Sequence, residues 1–195
     1  MLFTVFQIPA SAITETCIHG NRTFNDKQLT GGVGQYGDFR RYYYLVNVTG
    51  NDASPIEIAV GNWVNTTDNP GVTTSISIRE TTTQSNSSFD VYNKAFSGGI
   101  TGQTEFWTYS NKIDDPSASN WGWTKIFIDC SKINSLSYSD FKKAGLFGHE
   151  LGHAMGLSHQ PDLPYGQSIM YNYDDVRDTD RPCSIDCNNI NHVYG

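Results

Sequence analysis

Residues 149–159, HELGHAMGLSH, constrain this chain more than any other stretch. His149 and His153 stand four apart. On a helix that spacing turns them by only about 40° and separates them by about 6 Å, so both imidazoles face one point. Two neutral rings on one face are a pair of metal ligands, and zinc accepts such nitrogens at about 2.0–2.1 Å. Gly156 stands where the helix must stop, because glycine accepts the positive φ of a sharp reversal. Three residues later, His159 can swing under the same point as a third ligand. Three protein ligands leave one corner of a tetrahedral zinc ion open to water. Glu150 follows His149 but lies off the ligand line, so it is suited to hold and deprotonate that water. The bland alternative is an amphipathic helix with hydrogen-bonded histidines. Three of the five histidines at ligand spacing count against it. A metal-binding module without turnover would not need Glu150.

Composition excludes other classes. The formal net charge is −7, which leaves no basic surface for nucleic acid. No run of about 20 apolar residues is present, so no membrane-spanning helix is expected. The 195 residues suffice for one domain with its own core, and 13% aromatic content argues for a packed chain. Charged residues are few, and Asn, Ser, Thr and Gly take their place, a composition common in secreted proteins rich in strands and turns. Met1 to Ile8 are mostly apolar, and Ala10-Ser11-Ala12 reads as a small-x-small cleavage site. The segment is either a first strand or a signal-peptide remnant. Residues 1–38 as a whole read as such a remnant plus a loose, Gly-rich lead-in, and 39–195 as the catalytic domain. Cys17, Cys130, Cys183 and Cys187 allow three disulfide pairings. Cys183 with Cys187 would close a small loop and leave Cys17 for Cys130. Asn21, Asn47, Asn65 and Asn86 each open an N-x-S/T sequence.

The remaining pattern predicts an α+β domain. Strands are expected at 41–48, 73–82, 89–96, 100–109 and 123–130, the last with Ile126 and Ile128 on one face. Ser54-Pro55-Ile56-Glu57 reads as a helix start with Ser54 as cap, and Ile56, Ala59, Val60, Trp63 and Val64 then fall on one face. Ser137 with Asp140 predicts the opening of a helix that runs to about Met155. A closing helix begins at Ser184 or Asp186 and packs Ile190 and Val193. Strand, helix, strands, helix, loop, helix implies a mixed sheet.

HELGHAMGLSH resembles the extended signature of the metzincin zinc peptidases at every fixed position, and its fuller wording is most similar to the matrixin branch. Ser168-Ile169-Met170-Tyr171 resembles the Met-containing turn of that family, with Met170 an apolar floor under the imidazoles. The closing helix, with Asp186, Ile190, Val193, Tyr194 and Gly195, resembles the last matrixin helix, in which an Asp bonds the Met-turn backbone. The resemblance implies a zincin-like fold: a mixed twisted sheet, an active-site helix, a C-terminal helix and a zinc cleft between upper and lower parts. It implies a secreted zinc endopeptidase that hydrolyses peptide bonds through a zinc-bound water activated by Glu150. The zinc ligands would be His149, His153 and His159, with Gly156, Met170 and Asp186 as structural support. Substrate would bind extended against a strand edge, for which 100–109 is the candidate. Residues 160–169 would wall the pocket after the cut, with Pro161, Leu163, Pro164 and Tyr165 as its apolar part. Nothing calls for more than a monomer.

The departures shape the expectation too. Position 172 is Asn where astacin- and serralysin-type members carry a zinc-reaching Tyr. Only His19 and His192 remain for the structural zinc that matrixins usually bind, so one catalytic ion is expected. No P-R-C-G latch and no hemopexin-like region is legible, as in compact microbial-type relatives. Asp174, Asp175, Asp178 and Asp180 form an acidic run that reads either as a Ca2+ site or as a solvated loop.

Overall fold

The computed structural model describes residues 22–34, 41–160 and 167–195. Six strands of the described residues form one sheet in the order β2-β1-β3-β6-β4-β5: β1 Arg41–Leu45, β2 Ile78–Glu80, β3 Phe89–Asn93, β4 Gly102–Trp107, β5 Lys112–Ile113 and β6 Trp123–Ile128. β1, β2, β3 and β6 run parallel; β4 and β5 are antiparallel to their neighbours. The sheet is mixed, as the element order implied. Val91 of β3 and Ile126 of β6 are paired and buried in the core.

Among the described residues the α-helices are α1 Ser54–Val64, α2 Cys130–Ser135, α3 Asp140–Ala154 and α4 Ser184–Tyr194. α1 buries Ile56, Ala59, Val60 and Trp63, the face its spacing predicted. Its cap is Ala53 rather than Ser54, which is already helical and makes no side-chain cap bond. α3 starts later than expected. Ser139 is the cap and its hydroxyl accepts the Lys142 N–H, whereas Ser137 turns the chain at φ +57°. Among the described residues no helix is long and apolar enough to cross a membrane.

α3 is fixed lengthwise by three aromatic donors. Trp63 Nε1 donates to the Gly148 carbonyl at 2.9 Å, Trp121 Nε1 to Ala154 at 3.0 Å and the Tyr194 hydroxyl to Met155 at 2.8 Å. Both tryptophans are fully buried. The last two bonds serve carbonyls at the helix end that have no partner within the helix. The lead-in within residues 1–38 reads as loose from the sequence, and the structure corrects this for 22–34. Phe24, Leu29 and Val33 are buried core residues, and Leu29 N–H donates to Tyr194 Oη. Scattered apolar residues in a polar stretch carry no period, so their burial was not legible. The signal-remnant segment, Cys17 and Pro161 to Tyr165 lie outside the described residues.

α2 has no counterpart among the expected elements. Asp129 caps it: its carboxylate accepts the N–H groups of Lys132 and Phe96 at 2.9 Å each and pairs with the Lys132 ammonium. Lys132 Nζ also gathers the carbonyls of Phe96, Gly98 and Ile100, which sets the loop leading into β4. Burial alone would raise the Asp129 carboxyl, but these donors outweigh it and hold the carboxyl below its usual range. A depressed folded value stabilises the fold above the unfolded pKa of about 3.9 and is lost as pH falls through the folded one. Asp129→Asn is expected to cost about 1–2 kcal/mol at neutral pH. Thermal unfolding across pH checks this, because the gap from wild type should close in acid.

The thiols also differ from expectation. Cys130, Cys183 and Cys187 are free thiols, so the Cys183–Cys187 loop does not form. Cys183 instead caps α4, its sulfur accepting the Asp186 N–H, while Cys187 is buried in the core. Burial pushes the Cys187 thiol up to about 12.

Candidate metal centre

The helical rung and the glycine bend bring three rings together. The Nε2 atoms of His149 and His159 lie 3.0 Å and 3.1 Å from that of His153. His149 and His153 are buried within α3; His159 is half-buried beyond the bend. Gly156 has φ +106° and carries the reversal, as its position implied. The chain past it is pinned on two sides: Phe24 N–H donates to Gly156 O, and Gln160 N–H donates to Met170 O. His159 is thereby held between the N-terminal segment and the Met170 turn.

The rings are set for a cation. His149 Nδ1 lies 2.8 Å from the Ile169 carbonyl and His153 Nδ1 lies 2.7 Å from the Leu157 carbonyl. A carbonyl only accepts, so each Nδ1 carries the proton and each neutral ring turns a bare lone pair inward from Nε2. Burial, with Arg177 and the other two rings, keeps His149 well below the usual imidazole range, so a second proton is disfavoured there. Lone pairs about 3 Å apart repel unless a cation lies among them. Tetrahedral ligands at about 2.0–2.1 Å from zinc sit about 3.3 Å apart, close to the spacing found. This donor set fits zinc, and these three histidines are the group among the described residues that could hold an ion. The acidic run does not gather into such a group. Asp174 pairs with Arg177 and takes the Thr101 hydroxyl, and Asp180 pairs with Arg181. The calcium reading therefore has no converging ligands here.

Glu150 lies on the α3 surface facing β4. Thr104 Oγ1 is 2.8 Å from its Oε2 and 2.9 Å from its backbone oxygen. Burial pushes the carboxyl up to about 8, against the lowering pull of the Thr104 hydrogen bond. Met170 is fully buried beneath the helix, and a Cβ at Gly152 would come within 2.3 Å of its sulfur. Glycine at 152 is what lets the turn approach so closely. Asp186 is buried and binds that turn: Oδ1 accepts from Ser168 Oγ at 2.6 Å, and Oδ2 from the Ile169 N–H at 3.2 Å.

Sequence reasoning missed Thr104, Gly102 and Arg177, and placed Ser168 in the turn without its bond to Asp186. Arg177 is buried, donates twice to the Tyr171 carbonyl and pairs with Asp174 at 3.1 Å. Its one signal was a cation set within an acidic run. The strand 100–109, expected as an edge, is β4, and β5 lies outside it but pairs only with Phe106 and Trp107. Asp129 N–H donates to Thr101 O, so residues 101, 103 and 105 turn their backbone groups toward β6. Those of Gly102 and Thr104 turn outward, where no described strand pairs with them.

No family model matches the chain, and no curated protein matches its sequence. Among solved structures the chain is similar to the crystal structure of myroilysin, at 16% identity and a TM-score of 0.48, over 92% of this chain and 93% of that one.

Proposed function

We propose that the chain is a zinc-dependent endopeptidase with a zincin-like fold, a metzincin of matrixin type. In this reading it is secreted and acts as a monomer, and its catalytic domain takes in residues 22–34 together with the stretch expected at 39–195. The observation that supports it is the convergence of three imidazole Nε2 atoms, two of them from the helix that also carries the buried Glu150. His149, His153 and His159 would hold the ion. Zinc bound there supplies Lewis acidity toward a scissile carbonyl and lowers the pKa of a coordinated water. Glu150 takes a proton from the attacking water and delivers it to the departing amine. The main-chain carbonyls of Ile169 and Leu157 keep the Nδ1 protons of His149 and His153 away from the ion. The outward backbone of Gly102 and Thr104 pairs with an extended peptide, adding a strand at the open part of β4.

The test is digestion of a proteome-derived peptide mixture read by mass spectrometry, with elemental analysis of the purified protein. Cleavage that a chelator stops and zinc restores is the expected result. Bound zinc without cleavage would instead favour a binding module, and no uptake of a transition metal would reject the reading.

A further inference from the structure

We infer that β4 is a built cradle for the Glu150 carboxylate, with Thr104 as its positioning residue and Gly102 as its clearance. The role of Glu150 in turnover rests on the peptidase reading above; the cradle itself does not. Two independent observations meet here. The Thr104 hydroxyl is buried and reaches both Glu150 Oε2 and the Glu150 carbonyl. Two residues earlier on the same strand face, a Cβ at Gly102 would stand 2.7 Å from Oε1 and 3.1 Å from Cδ. The first distance is closer than a real side-chain carbon approaches, so a residue larger than glycine would displace the carboxylate.

Strand geometry explains why both contacts fall on one group. Residues 102 and 104 share the face turned toward α3, because side chains alternate along a strand. The register is locked by β6, where Gly102 stands opposite Ile128 and Thr104 opposite Ile126. The start of β4 is tied to the other side of the site, since the Thr101 hydroxyl donates to Asp174, which is paired with Arg177. One hydroxyl proton serves Oε2 or the helix carbonyl, so the carboxylate is drawn against its own helix turn. Its plane and its distance from the three rings are then fixed by a rigid strand instead of by rotamer preference alone. A base held in this way loses little freedom when the proton moves.

The variants are Thr104→Val, which keeps shape and removes the hydroxyl, and Thr104→Ser, which keeps the hydroxyl. On zinc-loaded protein, T104V should lower kcat about tenfold with KM unchanged, the size of one lost hydrogen bond to a charged group. T104S should recover most of that loss, with zinc content equal in all three. An equal loss in T104S, or none in T104V, overturns the inference. The second readout needs no activity. Thermal unfolding of metal-free wild type, T104V, Glu150→Ala and the double variant forms a cycle. Coupling is expected, with T104V costing about 2–4 °C more in the presence of Glu150 than in its absence. Strict additivity overturns the cradle. If T104V does not fold, Thr104→Ala takes its place in the same cycle. Absence of chelator-sensitive cleavage in wild type rejects the peptidase reading alone, and the cycle still decides the cradle.

Discussion

Glu150→Gln is expected to retain zinc and to lose roughly 10²–10⁴-fold in peptide hydrolysis, the usual contribution of a positioned general base. The amide matches the carboxylate in shape and still offers an oxygen to the Thr104 hydroxyl, so the contact at 2.8 Å can survive. It cannot take up a proton at neutral pH. His149 and His153 are oriented without it: their Nδ1 partners are the carbonyls of Ile169 and Leu157. Folding should not suffer either, because the substitution removes a carboxylate whose burial is itself unfavourable. Three measurements separate the outcomes: zinc content, unfolding temperature and cleavage of a denatured protein. Near-normal cleavage would falsify the role of Glu150 as base. Loss of zinc with intact folding would place its carboxylate among the ligands.

What could be read from sequence tracks how locally each feature is encoded. His149, His153, Gly156 and His159 were legible because helical spacing and one glycine dictate their geometry within eleven residues. The buried face of α1 was legible for the same reason. Features built by contacts between distant segments were not. Thr104 is an ordinary strand residue until β6 fixes its register and α3 lays Glu150 across it. Phe24 and Leu29 join the core through distant partners: Phe24 packs on Phe106, Trp121 and His153, and Leu29 bonds to Tyr194. Cap positions failed by a residue or two. Ser137 and Ser139 offer the same hydroxyl, and only the positive φ at Ser137 decides that the helix begins after the second. The cysteines misled for a different reason. Even number and close spacing are compatible with a disulfide loop, but Cys183 is committed to capping α4 and Cys187 points into the core.

Asp186→Ala is expected to cost about 3 kcal/mol or more of stability, and part of the metal affinity with it. Asp186 is fully buried and accepts from three donors: the Ser168 hydroxyl, the Ile169 N–H and, at 2.9 Å, the Cys183 N–H. Alanine leaves all three without an acceptor in a dry interior, at roughly 1–3 kcal/mol each before relaxation. For a chain of this size the loss lowers the unfolding temperature by roughly 6–12 °C. Asp186→Asn should be milder. Its oxygen can keep the Ile169 and Cys183 N–H groups, and its amide can donate to Ser168 Oγ once that hydroxyl turns. The link to the metal is short. The residue whose N–H meets Asp186, Ile169, also offers the carbonyl that orients His149, and losing such an outer partner typically weakens metal binding 10–100-fold. Zinc titration of refolded D186A and D186N measures this beside calorimetry, with D186N expected between D186A and wild type on both scales. If D186A unfolds at the wild-type temperature and binds zinc as tightly, then the Gln160 hydrogen bond and the packing of Met170 under Gly152 suffice to hold the turn without Asp186.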